Sequence, residues 1–316
     1  FMYGAAHDAD AAVREAGFEA FEMVAEYAPS CVGPNAQTIG EVLAGGLQDA
    51  GSVQVRLASL RAFASLLVSL TSAKQVETFK PALPLMLDTL KFALDTAVAT
   101  KNASLEEAAQ KAMESLVDIA GEHPKFLRAQ FHSLVSSMTA VAAANVLTAP
   151  TRSLALEFVL TTAEQLPATF RKDKQLCASV MTLLMRLSCE LASAKPDLDA
   201  WREELGSESN EESPRAPTDG LDDGVEELAN AVEEGMTRVA TALGAKAVLP
   251  TVMQVAPTLV REQDWRRRRT AFVVLAQTAH GVKKPMYRHL MDVTDLALAF
   301  FEDPHPLVRY AAVHVV

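Results

Sequence analysis

Apolar residues along most of this chain return every three or four positions, in stretches separated by short polar turns. Between 52 and 70, Val53, Leu57, Leu60, Phe63, Leu67 and Leu70 form one stripe; between 81 and 98, Leu83, Leu87, Leu90 and Leu94 form another. That period is helical, and strand-like alternation is nowhere sustained. The pattern predicts helices at about 10–27, 52–70, 103–120, 150–166, 225–243 and 266–281, with one more opening at 307. A second set lies between them near 35–48, 76–98, 124–145, 168–192, 247–262 and 285–302, after a first helix ending near 6. Prolines 34, 124, 150, 167, 285 and 304 fall at segment ends, where a missing N–H costs least, whereas Pro81, Pro84, Pro250 and Pro257 predict kinks.

A second periodicity lies over the first. An acid, then an Arg, then a small residue two positions on recur at helix starts: Asp8 with Arg14 and Ala16, Asp49 with Arg56 and Ala58, Asp264 with Arg268 and Thr270, Asp303 with Arg309 and Ala311. Degenerate copies stand at Glu106 and at Arg152. Arg14 and Arg56 are 42 positions apart, Arg268 and Arg309 41, within the period of roughly 40–47 residues of two-helix HEAT and armadillo repeats. A lone helix pair cannot bury both stripes, so neighbours must stack. The expected fold is therefore all-α: an α-α superhelix, a HEAT-repeat solenoid of six to seven repeats, forming one array over 1–316. The expected structural ladder pairs each turn acid with an arginine, through Asp8, Arg14, Asp49, Arg56, Arg152, Asp264, Arg268, Asp303 and Arg309. Because Phe1-Met2-Tyr3 lacks a cap and Val313-His314-Val315-Val316 lacks a terminator, both ends are expected to be cuts in a longer array.

One connection breaks the rhythm. Between Arg202 and Glu234 stand twelve acidic residues against two arginines, so residues 202–224 are expected to form an acidic insertion within one repeat. Its acids, Glu203, Glu204, Glu208, Glu211, Glu212, Asp219, Asp222 and Asp223, continue into Glu226, Glu227, Glu233 and Glu234 on the next helix. Trp201 opens it as a candidate anchor or partner contact. Trp265, beside Asp264, is expected to cover a turn or pack in the core.

Composition narrows the function classes. A net charge of −11 argues against phosphate backbones and for basic partners. The cysteines Cys31, Cys177 and Cys189 match neither a disulfide framework nor a zinc pattern. No apolar run approaches the roughly 18 residues of a membrane-spanning helix. There is no phosphate-cradling loop, nucleophile elbow or paired metal-ligand histidine, so neither enzymatic activity nor a metal or cofactor is expected. Arg266 to Arg269 look like a basic patch, yet successive helical residues point about 100° apart and cannot share a face.

Trp265 through Ala271, and the run Phe300-Phe301-Glu302-Asp303-Pro304-His305-Pro306-Leu307-Val308-Arg309-Tyr310-Ala311-Ala312, resemble repeats of the importin-beta superfamily. The branch called importin-five or karyopherin-beta-three is the most similar. Leu154-Ala155-Leu156-Glu157, Leu243 through Pro250 and the place of the acidic insertion share the likeness, which is strong over 150–316. The insertion is less dense in Asp than that pattern, and Arg267 stands where it has an apolar residue. The resemblance implies a monomeric nuclear import receptor shuttling between cytoplasm and nucleus. It implies basic localisation signals of cargo on the concave face, phenylalanine-glycine nucleoporins on the outer face, and release by Ran-GTP. Glu157 joins the acidic residues as a candidate cargo contact. The alternative is a HEAT-repeat scaffold subunit of a multiprotein complex.

Overall fold

A computed structural model describes residues 2–192 and 223–315. All regular structure among them is helical, arranged as HEAT-type pairs of an A and a B helix. The B helices are α2 (Ala11–Tyr27), α5 (Val53–Ser69), α8 (Ala103–Glu122), α10 (Ala149–Gln165), α13 (Asp223–Leu243), α15 (Trp265–Gly281) and α18 (Pro306–Val315). Their starts follow from capping. Asp10 accepts from the Ala12 amide at 2.8 Å, Asn102 from Leu105 at 3.1 Å and Asp264 from Arg266 at 3.0 Å, each relieving a helix-end donor that has no partner within the helix.

The A helices depart from the sequence expectation: five of them begin in a separate short turn instead of running unbroken. They are α1 (Met2–Ala5), α3 (Pro29–Val32) with α4 (Ala36–Gly46), α6 (Ala73–Thr78) with α7 (Leu83–Thr100), and α9 (Phe131–Ala142) behind the 3-10 turn Pro124–Gln130. Then come α11 (Pro167–Phe170) with α12 (Lys174–Leu191), α14 (Ala245–Leu259), and α16 (Lys283–Met286) with α17 (Leu290–Leu298). The reason is proline. Pro29, Pro124 and Pro167 open their lead-in turns, each after a residue held outside the helical region, while Pro81 and Pro285 lie within theirs and supply no amide donor there. Pro250 and Pro257, by contrast, are accommodated inside α14.

The chain divides into two compact units, 1–176 and 177–316. In the first, α2 packs on α5, α5 on α8 and α8 on α10, while α4, α7 and α9 cover their other side. In the second, α13 packs on α15 and α15 on α18, with α14 against α13 and α15, and α17 against α18. The cores are built on phenylalanines: Phe18, Phe63, Phe126, Phe158, Phe170 and Phe272 are fully buried, each contributing about 1.5–3 kcal/mol of apolar burial. Ring pairs join neighbouring helices, Phe63 with Phe79 at 5.5 Å and Phe131 with Phe170 at 5.1 Å, both edge to face. A Cβ on Gly40 would lie 2.2 Å from the Phe79 ring, so this position admits only glycine while Phe79 stays where it is. No helix of the described residues is long and apolar enough to cross a membrane.

Candidate partner surface on the B helices

Polar contacts between adjacent B helices come in two tiers. The first lies at the helix starts. Arg14 donates to both carboxylate oxygens of Asp49, at 2.8 and 3.3 Å, and to the carbonyls of Asp8 and Ala9. Arg268 repeats this geometry on Asp303, at 2.8 and 3.1 Å, and on the carbonyls of Glu262 and Gln263. Each arginine thus staples its own turn and grips the acid 35 residues on. Burial pushes both carboxyls up, but the guanidinium together with the amides of Gly51 and Ser52 (for Asp49) or His305 (for Asp303) outweighs it. Both titrate below the ordinary carboxyl range.

The remaining ladder candidates vary. Arg309 donates to the carbonyls of Asp303 and Pro304; Arg56 donates to the Asp49 carbonyl and lies over the Phe92 ring, 5.1 Å from its centroid. Arg152 is buried and donates to the Ala142 carbonyl at 3.0 Å. Glu106 accepts from the Thr148 amide and from the Thr148 and Thr151 hydroxyls one repeat on. Asp8 accepts from the Asp10 amide and so ties its own turn. Asp264 must be corrected: its carboxylate caps α15 and touches Arg266 only at 3.8 Å. The position equivalent to Asp8 and Asp303, six residues before the arginine, is Glu262. The spacing of four to Arg268 belongs to a cap, not to a ladder acid.

Trp265 lies flat on His305, centroids 3.8 Å apart and planes within 5°, so it covers the following turn. The four consecutive arginines point four ways: Arg266 to the Ala192 carbonyl, Arg267 to Glu262, Arg268 to Asp303 and Arg269 to Glu233.

The second tier lies along the B helices and bears on the expected acidic surface. Trp201, Glu203, Glu204, Glu208, Glu211, Glu212, Asp219 and Asp222 lie outside the described residues; Asp223 opens α13. On α13 the four glutamates do not share one face. At 100° per residue, Glu227 and Glu234 fall together and are exposed. Glu226 and Glu233 fall together on the side toward α15, where Arg269 holds Glu233 at 2.7 Å. A continuous face of all four is therefore corrected to an exposed pair and a pair at the α15 seam. Glu157, on α10, is half-buried and accepts from the Thr161 hydroxyl at 2.9 Å.

The sequence expectation overlooked two further acidic stripes, both in the first unit. Glu15, Glu19, Glu22 and Glu26 follow one another on a single face of α2, beside the buried stripe of Phe18, Phe21 and Ala25. Glu107, Glu114, Asp118 and Glu122 share a face of α8, with exposed Lys111 on the same face between the first two. Arg61 of α5 reaches Glu19 and Glu22 at 3.1 Å each. Burial, helped by Glu26 and Glu19, nevertheless raises the Glu22 carboxyl above its usual range against the pull of Arg61. Asp118 is raised by burial and by Glu122. Between the ends of α2, α5 and α8 runs a groove of about 390 Å³, with Glu26 and Asp118 on its margins and Ala25, Pro29, Ala64 and Val68 on its walls. Carboxylates beside an apolar wall suit an extended alkyl ammonium, whose stem and head want different surroundings.

Among the described residues no three His, Cys, Asp or Glu side chains gather as they would around a metal ion.

Two families of known proteins match this chain: "IPO5-like, TPR repeats" over residues 1–137 and "Importin repeat" over 144–250. Importin subunit beta-3 of Saccharomyces cerevisiae is 22% identical over 271 residues, covering 86% of this chain and 23% of that protein. A probable importin-5 homolog of Dictyostelium discoideum is 24% identical over 260 residues, covering 82% and 22%. The chain thus spans less than a quarter of the length of these relatives. The crystal structure of Kap121p superposes with a TM-score of 0.80 at 21% identity, over 99% of this chain and 28% of that one. Kap121p has also been solved bound to Nup53p and to RanGTP. At that identity the likeness bears on the fold alone, a HEAT-repeat solenoid.

Proposed function

Because this chain belongs to the importin-beta superfamily, we propose that it is part of a nuclear import receptor whose acidic B-helix faces receive the basic localisation signals of cargo. The observation that carries the proposal is the unbroken line Glu15, Glu19, Glu22, Glu26 on α2, with Glu107, Glu114, Asp118 and Glu122 on α8, in a chain of net charge −11. Burial raises the carboxyls of Glu22 and Asp118, and the neighbouring carboxylates Glu26, Glu19 and Glu122 add to it, so charge on this face carries a cost. A lysine-rich segment laid along them would relieve that cost. Exposed Glu227 and Glu234, the carboxylates between Glu203 and Asp223, and Glu157 belong to the same proposal as contacts elsewhere in the array.

The receptor would shuttle between cytoplasm and nucleus, meeting phenylalanine-glycine nucleoporins on the A-helix side and releasing cargo to Ran-GTP. The Kap121p complexes with Nup53p and RanGTP support those partners. Release requires negative coupling, and coupling is reciprocal: cargo must weaken Ran-GTP binding by the factor that Ran-GTP weakens cargo. The test is a displacement experiment on the full-length protein, with a labelled lysine-rich peptide bound and Ran-GTP titrated in. Release by Ran-GTP and not by Ran-GDP is expected. Capture of the peptide with no effect of Ran-GTP would instead fit a scaffold.

A further inference from the structure

A second groove, of about 620 Å³, lies on the A-helix side of the second unit, between α14 and the turn that joins α16 to α17. Its apolar part is Ala245, Leu249, Pro250, Met253 and Pro285; its polar part is Lys246, Lys284, Arg288 and His289. Among the described residues no carboxylate lines it. Lys246, Lys284 and Arg288 are exposed, and among the described residues none of the three takes part in an ion pair. In a chain of net charge −11, three cations that meet no carboxylate among the described residues invert the sign of the described surface around this apolar trough. A buried or half-buried apolar floor asks for an apolar side chain, and a cationic margin asks for carboxylates on either side of it.

We propose that this groove docks an acidic linear peptide segment in which carboxylates flank an apolar or aromatic side chain. The aromatic or leucyl group would enter between Leu249, Met253 and Pro285, and the carboxylates would meet Lys246, Lys284 and Arg288. This surface differs from the one proposed for cargo in both helix layer and charge, so either proposal can fail without the other.

The probe is a fluorescein-labelled decapeptide with a central Leu-Trp pair flanked by glutamates, titrated against the whole chain by anisotropy. Two control peptides replace the glutamates by glutamines or the Leu-Trp pair by Ser-Ser. Saturable binding is expected for the acidic apolar probe, with each control weaker by about tenfold or more, and with affinity falling as salt rises. The double reversal Lys284→Glu with Arg288→Glu, at exposed positions, should weaken the probe by a similar factor while leaving the thermal transition in place. Absence of saturable binding would overturn the proposal. So would glutamine-peptide affinity within twofold of the probe, which would mark a groove that selects apolar side chains alone. Undiminished binding by the reversed variant would place the probe elsewhere and overturn it equally.

Discussion

Replacing Asp303 by asparagine removes the charge from the most buried staple while keeping its shape. Arg268 and Asp303 are only 13% and 4% exposed at their side chains and share two bonds of 2.8 and 3.1 Å. An asparagine can accept one of them but presents an NH2 to the other guanidinium nitrogen. A charge-assisted bond contributes about 1.5–3 kcal/mol. Arg268 keeps its bonds to the Glu262 and Gln263 carbonyls, so the guanidinium is not orphaned and the loss should stay near one such bond, about 2–3 kcal/mol. At about 2–4 °C per kcal/mol for a unit of this size, the transition of the second unit falls by roughly 4–12 °C. Calorimetry at neutral pH measures it, with Asp264→Ala as the comparison, expected to cost only about 1 kcal/mol as the loss of an exposed cap. The pH dependence supplies the sign check. The Asp303 carboxyl is depressed in the folded state, so its stabilisation is complete above the ordinary value of 3.8 and is lost as pH falls through the lower folded value. The gap between wild type and Asp303→Asn should therefore hold from neutral pH to about 4 and close below that. A gap under about 0.5 kcal/mol, or one unchanged in acid, would refute the assignment of that energy to the ion pair.

Gly281→Ala should destabilise the second unit, because its Cβ would meet the Ala240 Cβ and the Thr241 backbone nitrogen at 2.7 Å each; Gly121→Ala, with nothing within 4 Å, should leave the melting temperature level or higher. Asp118→Asn should raise stability at neutral pH, since the raised carboxyl carries an unfavourable charge there; the gain should vanish once the pH is low enough to protonate both states. A gain that persists in acid would mean that something other than charge is being relieved. Arg61→Ala should lower stability and raise affinity for basic peptides, because it frees Glu19 and Glu22 at once; unchanged affinity would take those two carboxylates out of the binding face.

The B helices were legible because their signals are local. Asp10, Ser52, Asn102 and Asp264 sit where caps are needed, and the apolar period between them is long enough to fix type and extent. The A helices were less so, because one residue type decides where they break, and proline does not say whether it will start a turn, as Pro124 does, or lie within a helix, as Pro250 does. Asp264 misled for a related reason: an acid shortly before an arginine looks the same whether it caps the helix or joins the ladder, and only the offset separates them, six residues at Asp8 and Asp303 and seven at Asp49 against four at the cap. The acidic run around 203–223 drew the eye by density. The glutamates of α2 and α8, spread singly at helical spacing, carry the more ordered face, which helical-wheel projections of 11–27 and 103–122 display.

The most direct test is the affinity of this chain for a lysine-rich localisation peptide, measured at low and at physiological salt for wild type and for a variant with Glu19, Glu26, Glu114 and Asp118 changed to their amides. An acidic B-helix face predicts salt-sensitive binding that the variant weakens by about tenfold or more, with a shallower salt dependence. Equal affinity of the two proteins, or binding indifferent to salt, would contradict it.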